Sequence, residues 1–135
     1  MEAGMGSGSV VGIGVDLVEN DRMQEMLDRW GPKFKDKVFL KKEQQYCETK
    51  ASPNHHYAAR FAVKEAVSKA FGTGMGPHIG WLDIEVVRDT KTGAPSVKLS
   101  AKGRKLASAR KAGDVLISLS HTKNYAMAHA LLLEK

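Results

Sequence analysis

A single cysteine, Cys47, stands in 135 residues. That excludes an intrachain disulfide framework and a cysteine-rich zinc module, and it fits a reducing compartment. The cytoplasm is the expected location. The longest apolar stretch, Ala126 to Leu133, is interrupted by His129 and falls far short of the ~20 residues that cross a bilayer, so a soluble protein is expected. The chain lacks a Walker A pattern, a dinucleotide fingerprint and any internal repeat. His55, His56, His78 and His129 have no metal-ligand spacing with other ligands and read as surface or packing residues. Residues 1–9 are rich in Gly and Ser but have neither a basic start nor an apolar run. They read as a disordered tail or expression remnant and not as a signal peptide, leaving 10–135 as one domain.

What the chain does carry is positive charge: a formal +6, with a pI near 9.5. This favours polyanionic partners such as nucleic acid, a membrane surface, an acidic protein or a phosphate-rich cofactor. The basic residues gather at Lys33, Lys35, Lys37, Lys41 and Lys42, and again from Lys98 to Lys111. No aromatics interleave with them as in single-strand binders. At 42% hydrophobic residues the chain can bury one modest core but has little room for a deep cleft, so a site shared between subunits fits its size.

Val11, Ile13 and Val15 alternate with Gly12 and Gly14, which predicts a strand over Val10–Val15 with a stripped face ending at Asp16. Glycines there permit close approach of a ligand or another backbone. Met23, Met26, Leu27 and Trp30 predict a helix from Asn20 closed by Gly31-Pro32. Lys33 to Leu40 reads as a loop with apolar anchors, and Lys41 to Thr49 as a short helix. A long central helix is expected from His55 to Gly72, with Ala58, Ala62, Ala66 and Ala70 as a small face. A hairpin over Leu82–Arg88 and Pro95–Leu99 follows, then a basic helix over Ser100–Ala112 and strands at Val115–Ser120 and Tyr125–Leu133. The pattern is α+β, an antiparallel sheet packed on a long helix.

Glu65 and Lys69 lie one turn apart on the central helix. A surface ion pair, worth ~0.3–0.5 kcal/mol, is one reading. The other adds Asp16: two carboxylates suit a hard divalent ion such as Mg²⁺ whose remaining positions are filled by phosphate oxygens and water. Asp16 alone also reads as a turn residue or helix cap. The Phe71-Gly72-Thr73-Gly74-Met75-Gly76 segment is either a helix C-cap with a loop or a turn whose N–H groups approach a phosphate. His121 and Thr122 stand at a strand end beside Ser118 and Ser120, where His121 can meet a phosphate, titrate or cap the turn.

Taken together, Val11–Glu19, Arg60–Gly74 and Ser118–Ala126 resemble the holo-acyl-carrier-protein synthase family. The N-terminal motif stands as Asp16, Glu19 and Arg22. The central Arg-Phe-Ala-x-Lys-Glu-Ala helix continues to Phe-Gly-Thr-Gly, and Ser-x-Ser-His-Thr precedes Tyr-Ala. The resemblance implies the 4′-phosphopantetheinyl transferase fold and Mg²⁺-dependent transfer of the phosphopantetheine arm of coenzyme A to a serine of apo acyl carrier protein, in fatty acid biosynthesis. It implies Asp16 and Glu65 as metal ligands, and Asp16, Glu65 and Lys69 as catalytic residues. Coenzyme A contacts are implied at Arg60, Lys69, Gly72, Thr73, Gly74, His121 and Thr122, and a carrier-protein contact at Arg22. It also implies a homotrimer with interfacial sites, and no nucleic acid or membrane partner. The departures lie in the N-terminal tail, Lys33–Lys42 and Asn54-His55-His56.

Two rivals fit parts of the pattern. A basic nucleic-acid-binding α+β protein accounts for the charge but not for Asp16 and Glu65, which would repel a phosphate backbone. A different Mg²⁺-dependent nucleotide enzyme, such as a small phosphotransferase, would use the same carboxylates.

Overall fold

Small residues set the fold by letting a strand and a helix approach closely. In the computed structural model, which describes residues 9–135, β1 (Val10–Glu19) lies against α3 (Pro53–Ala70). A Cβ added at Gly12 would sit 2.1 Å from the Ala70 carbonyl oxygen, and one at Gly14 would sit 1.9 Å from that of Ala66. The backbone that the glycines admit is therefore the central helix. Ala58, Ala62, Ala66 and Ala70 are all buried on its contact side. The expected tail over 1–9 lies outside the described residues except for Ser9, whose carbonyl accepts the Glu134 N–H at 2.7 Å.

Between these elements run α1 (Asn20–Val38) and α2 (Lys41–Glu48). The expected loop at Lys33–Leu40 is instead largely helical. Gly31 turns out of the helix at φ 53°, ψ −134°, and Pro32 restarts it. Proline is well suited to a first helical turn, where no N–H partner is needed, so Gly31-Pro32 makes a kink where a stop was expected. Phe34 and Val38, one turn apart, are buried. The central helix likewise begins at Pro53, two residues before the expected His55.

The hairpin of β2 (Ile84–Arg88) and β3 (Pro95–Leu99) starts two residues late, because Trp81–Asp83 forms a 3₁₀ turn. In α4 (Ala101–Ala109) the Ser100 hydroxyl caps the helix, accepting the Gly103 N–H at 3.1 Å. β4 (Ala112–His121) and β5 (Tyr125–Glu134) complete the chain. The strands form two antiparallel sheets, one of order β1-β5-β4 and the β2-β3 hairpin.

A buried ion pair ties the layers together. Lys64 donates to Glu43 at 2.7 Å and to the Trp81 carbonyl at 3.0 Å. Glu43 also accepts the N–H groups of Leu40 and Val86, both at 2.8 Å. Each carboxylate oxygen thus has a donor, which offsets the cost of burying the charge. Burial pulls the Lys64 ammonium below the ordinary lysine pKa, against the pull of Glu43.

Alternation along the three-stranded sheet is unusual in one respect. Ala126, Ala128, Ala130 and Leu132 face α3, as a half-buried strand requires. Many outward residues are also apolar: Val11, Ile13, Val15 and Leu17 on β1, Met127 on β5 and Leu116 on β4 are exposed, beside the polar Ser118, Ser120 and His129. An antiparallel sheet meeting water normally turns polar residues outward.

Candidate active site

Charged side chains collect on both flanks of α3. On the β1 flank, the close packing of Gly12 and Gly14 on the helix brings Asp16 against Glu65 and Lys69. Lys69 Nζ donates to Asp16 Oδ1 at 3.0 Å and to the Val15 carbonyl at 3.2 Å. The lysine therefore bridges to the strand rather than making a simple ion pair along its own helix. Burial, and then the Asp16 charge, raise the Glu65 carboxyl above the ordinary carboxylate pKa, while Lys69 opposes them. Two carboxylates in mutual repulsion, only partly neutralised by one ammonium, are a donor set suited to a hard dication. Among the described residues no group of three or more His, Cys, Asp or Glu side chains has metal-holding geometry. Asp16 and Glu65 thus fit an ion that takes its other ligands from substrate oxygens and water.

The Gly-rich turn caps α3. The Gly72 N–H donates to the Lys69 carbonyl at 2.8 Å and the Gly74 N–H to the Ser68 carbonyl at 3.1 Å. Both glycines hold positive φ, 81° and 63°, as a helix C-terminus favours. Thr73 turns its hydroxyl to the Gly74 carbonyl at 2.8 Å. These two amides are therefore engaged within the chain, the capping alternative of the sequence reading.

On the other flank, Arg60 and His121 line one cavity of about 260 Å³, with Tyr46, Ala59, Arg88 and Leu119. Arg60 is 6% exposed, its Nε has no hydrogen-bond partner, and its Cζ lies 4.2 Å from the centre of the Tyr46 ring. Arg88 donates to the Tyr46 hydroxyl and to the Gly93 carbonyl. Lys50 Nζ is 4.5 Å from the same tyrosine ring. The rings of His56 and His121 are 6.2 Å apart. This cationic basin, whose buried guanidinium has an unpaired donor, is suited to an anion.

Sequence reasoning singled out Arg60 and His121 but not Tyr46, Lys50 or Arg88, and it read His56 as a surface or packing residue. No local spacing links these positions, which only the tertiary fold gathers around one ring. Thr122 closes the β4–β5 hairpin, its hydroxyl accepting the N–H groups of Asn124 and Tyr125. Arg22 is exposed on α1. It lies one turn before Met26, which opens an apolar groove formed with Trp30, Phe34, Phe61 and Trp81 and edged by Lys33 and Lys37.

The sheet fixes the spacing of the two flanks. Asp16 and Leu119 both pair with Ala128 from opposite sides. Two strand spacings, roughly 10 Å, therefore separate the carboxylate side from the His121 side, and α3 runs between them.

Comparison with known proteins shows what the whole chain is similar to. The chain is 43% identical over 121 residues to a holo-[acyl-carrier-protein] synthase of Ruminiclostridium cellulolyticum, covering 89% of this chain and 90% of that one. It is also 43% identical to a protein of the same name from Protochlamydia amoebophila, over 90% and 96% of the two chains. A solved holo-(acyl-carrier-protein) synthase from Bacillus anthracis, in complex with CoA (3′,5′-ADP), superposes with a TM-score of 0.77 at 34% identity. That match covers 93% of this chain and 98% of that one. The model of the 4′-phosphopantetheinyl transferase superfamily matches residues 12–130, a span that runs from the glycine strand through both flanks of α3, and on this agreement of sequence and fold the chain belongs to that superfamily.

Proposed function

We propose that this chain transfers the 4′-phosphopantetheine arm of coenzyme A to a serine of apo acyl carrier protein, giving the holo protein and adenosine 3′,5′-bisphosphate for fatty acid biosynthesis. The observation that carries the reading is the pairing of the Asp16–Glu65–Lys69 cluster with the Arg60–His121 basin on the two sides of one central helix. The first suits pyrophosphate chemistry, and the second suits the phosphate of a nucleotide.

In this mechanism the serine oxygen forms a bond to the β-phosphorus of coenzyme A, and the bridging oxygen leaves with the α-phosphate. Arg60 and His121 hold the nucleotide, and the hydroxyl proton passes to the acidic cluster. Lys69 lies where charge grows on the departing phosphate and stabilises it. Asp16 and Glu65 would hold Mg²⁺, which when bound screens the pyrophosphate and aligns the attack. Arg22 and the neighbouring apolar groove suit an acidic amphipathic helix of the carrier protein, with Lys33 and Lys37 at the rim.

The two flanks belong to one site only if chains assemble, because α3 separates them within a chain. A homotrimer, built on the exposed apolar face of β1, β5 and β4, would set the basin of one subunit beside the carboxylates of the next. An apolar face of this kind marks an interaction surface. No helix among the described residues is long and apolar enough to cross a membrane. The buried Cys47 thiol is compatible with a cytoplasmic setting.

Intact-protein mass spectrometry of an apo acyl carrier protein, incubated with this chain, coenzyme A and Mg²⁺, tests the reading. A gain of one phosphopantetheine unit that disappears with EDTA is expected. No gain across several carrier proteins, with a folded enzyme, would overturn it.

A further inference from the structure

The basin around Tyr46 holds more positive charge than one arginine and one histidine supply. Lys50, His56, Arg60, Arg88 and His121 converge there from the segment after α2, from α3, from β2 and from β4. The His56 ring meets Tyr46 at 5.8 Å, nearly perpendicular, and His121 at 6.2 Å. The nearby carboxylates are engaged elsewhere. Glu43 binds Lys64 and two backbone N–H groups, and Asp89 accepts the N–H groups of Lys91 and Thr92. The charge of Glu85 bears on the Lys64 ammonium, and its backbone stands opposite Lys98 in the hairpin register. The charges that act most strongly on His56 come from basic side chains. Burial, followed by Arg60, His121, Lys50 and His55, lowers its pKa from the ordinary histidine value.

We propose that His56 makes this basin a proton-coupled phosphate site: it stays neutral among the cations while the basin is free, and takes up a proton when the doubly charged phosphomonoester of coenzyme A enters. The inference rests on the coenzyme A reading above. The physical cause is a reversal of sign. The permanently charged neighbours Arg60 and Lys50 disfavour an imidazolium, but a dianion placed among them favours it. The protonated ring also offers two N–H donors where the neutral ring offers one. The buried, unpartnered Nε of Arg60 marks where the anion is received. Because the proton taken from solvent is bound only in the complex, affinity rises as pH falls. The effect is confined to pH values above the second phosphate ionisation near ~6, below which the ligand itself loses charge.

Isothermal titration calorimetry of the full chain with coenzyme A, between pH 6.5 and 8 in buffers of different protonation enthalpy, tests this directly. Expected are an affinity that rises by up to about tenfold per unit fall in pH and net proton uptake on binding. With 3′-dephospho-coenzyme A both effects should vanish. His56→Gln, with His56→Phe as a second variant, should bind coenzyme A at pH 8 while losing the slope and the uptake. A wild type whose affinity is flat with pH, or a folded variant that keeps the full slope and uptake, overturns the proposal. A wild type that binds coenzyme A at no pH overturns the coenzyme A reading itself.

Discussion

Glu65 shows how burial beside a second carboxylate strains a single residue. Its pKa lies above the ordinary 4.5, so the fold favours the protonated form. The stability this gives is fully present below pH 4.5 and is lost as pH rises through the raised value. At pH 8 the ionised carboxylate is a net cost to the free protein. Glu65→Gln should therefore melt at or above the wild-type temperature at pH 8 without divalent ions, with the advantage fading toward pH 4. Added Mg²⁺ should raise the melting temperature of the wild type alone, and turnover in the variant should fall by at least about 10²-fold. A variant that melts well below wild type at pH 8 would make Glu65 a structural residue. Lys64, its neighbour, is the opposite case: both it and Glu43 are buried and fully engaged. Lys64→Ala leaves a buried carboxylate with one donor fewer and should cost about 3–5 kcal/mol in chemical denaturation.

The decisive contact between elements is β1 on α3. Gly14→Ala drives a methyl group to 1.9 Å from the Ala66 carbonyl oxygen, which is backbone and cannot rotate away. The strand must lift from the helix, and Asp16 moves with it. Denaturation should show a loss of more than about 3 kcal/mol, and any folded fraction should show weakened metal-dependent turnover. Near-wild-type stability and activity would mean that the strand packs less closely than described. At the α1 kink, Gly31 combines positive φ with an extended ψ, a backbone conformation costly for any side chain. Here the residue pair that looked like a helix stop instead redirects the helix, so that Phe34 and Val38 reach the core.

For the whole molecule, the separation of the two flanks by α3 leads to a mixing experiment. Asp16→Ala and Arg60→Ala variants should each be inactive alone. If a site joins the carboxylates of one subunit to the basin of the next, about a quarter of the interfaces in randomly mixed assemblies have both halves intact. Activity should then return on unfolding and refolding the two together, and its absence in well-mixed assemblies would place each site within one chain. Net positive charge predicts a second behaviour. Encounter with an acidic carrier protein should slow as salt is raised, since screening acts mainly on the association rate. A KM for the carrier protein that rises steeply between 50 and 500 mM salt, roughly the range over which the screening length falls by two-thirds, would agree. A flat response would make the groove's apolar contacts dominant.

The local pattern of this chain was enough to set its α+β class, the central helix and most strand positions, and to single out Asp16, Glu65, Lys69 and His121 as candidates, while Arg60 was named through the family resemblance. Periodicity, glycine placement and motif spacing are properties of neighbouring residues, and they survive in a linear reading. The same reading missed the helical stretch after Pro32, because a Gly-Pro pair signals a stop unless later apolar residues are known to be buried. It also missed the roles of Tyr46, Lys50, His56 and Arg88, which share no spacing. Their convergence depends on how α2, α3, β2 and β4 pack, and electrostatic fields follow distance in space. Local sequence thus supplied the chemical groups, while packing chose which would share a field and set His56, read as a surface or packing residue, beside Tyr46 and His121.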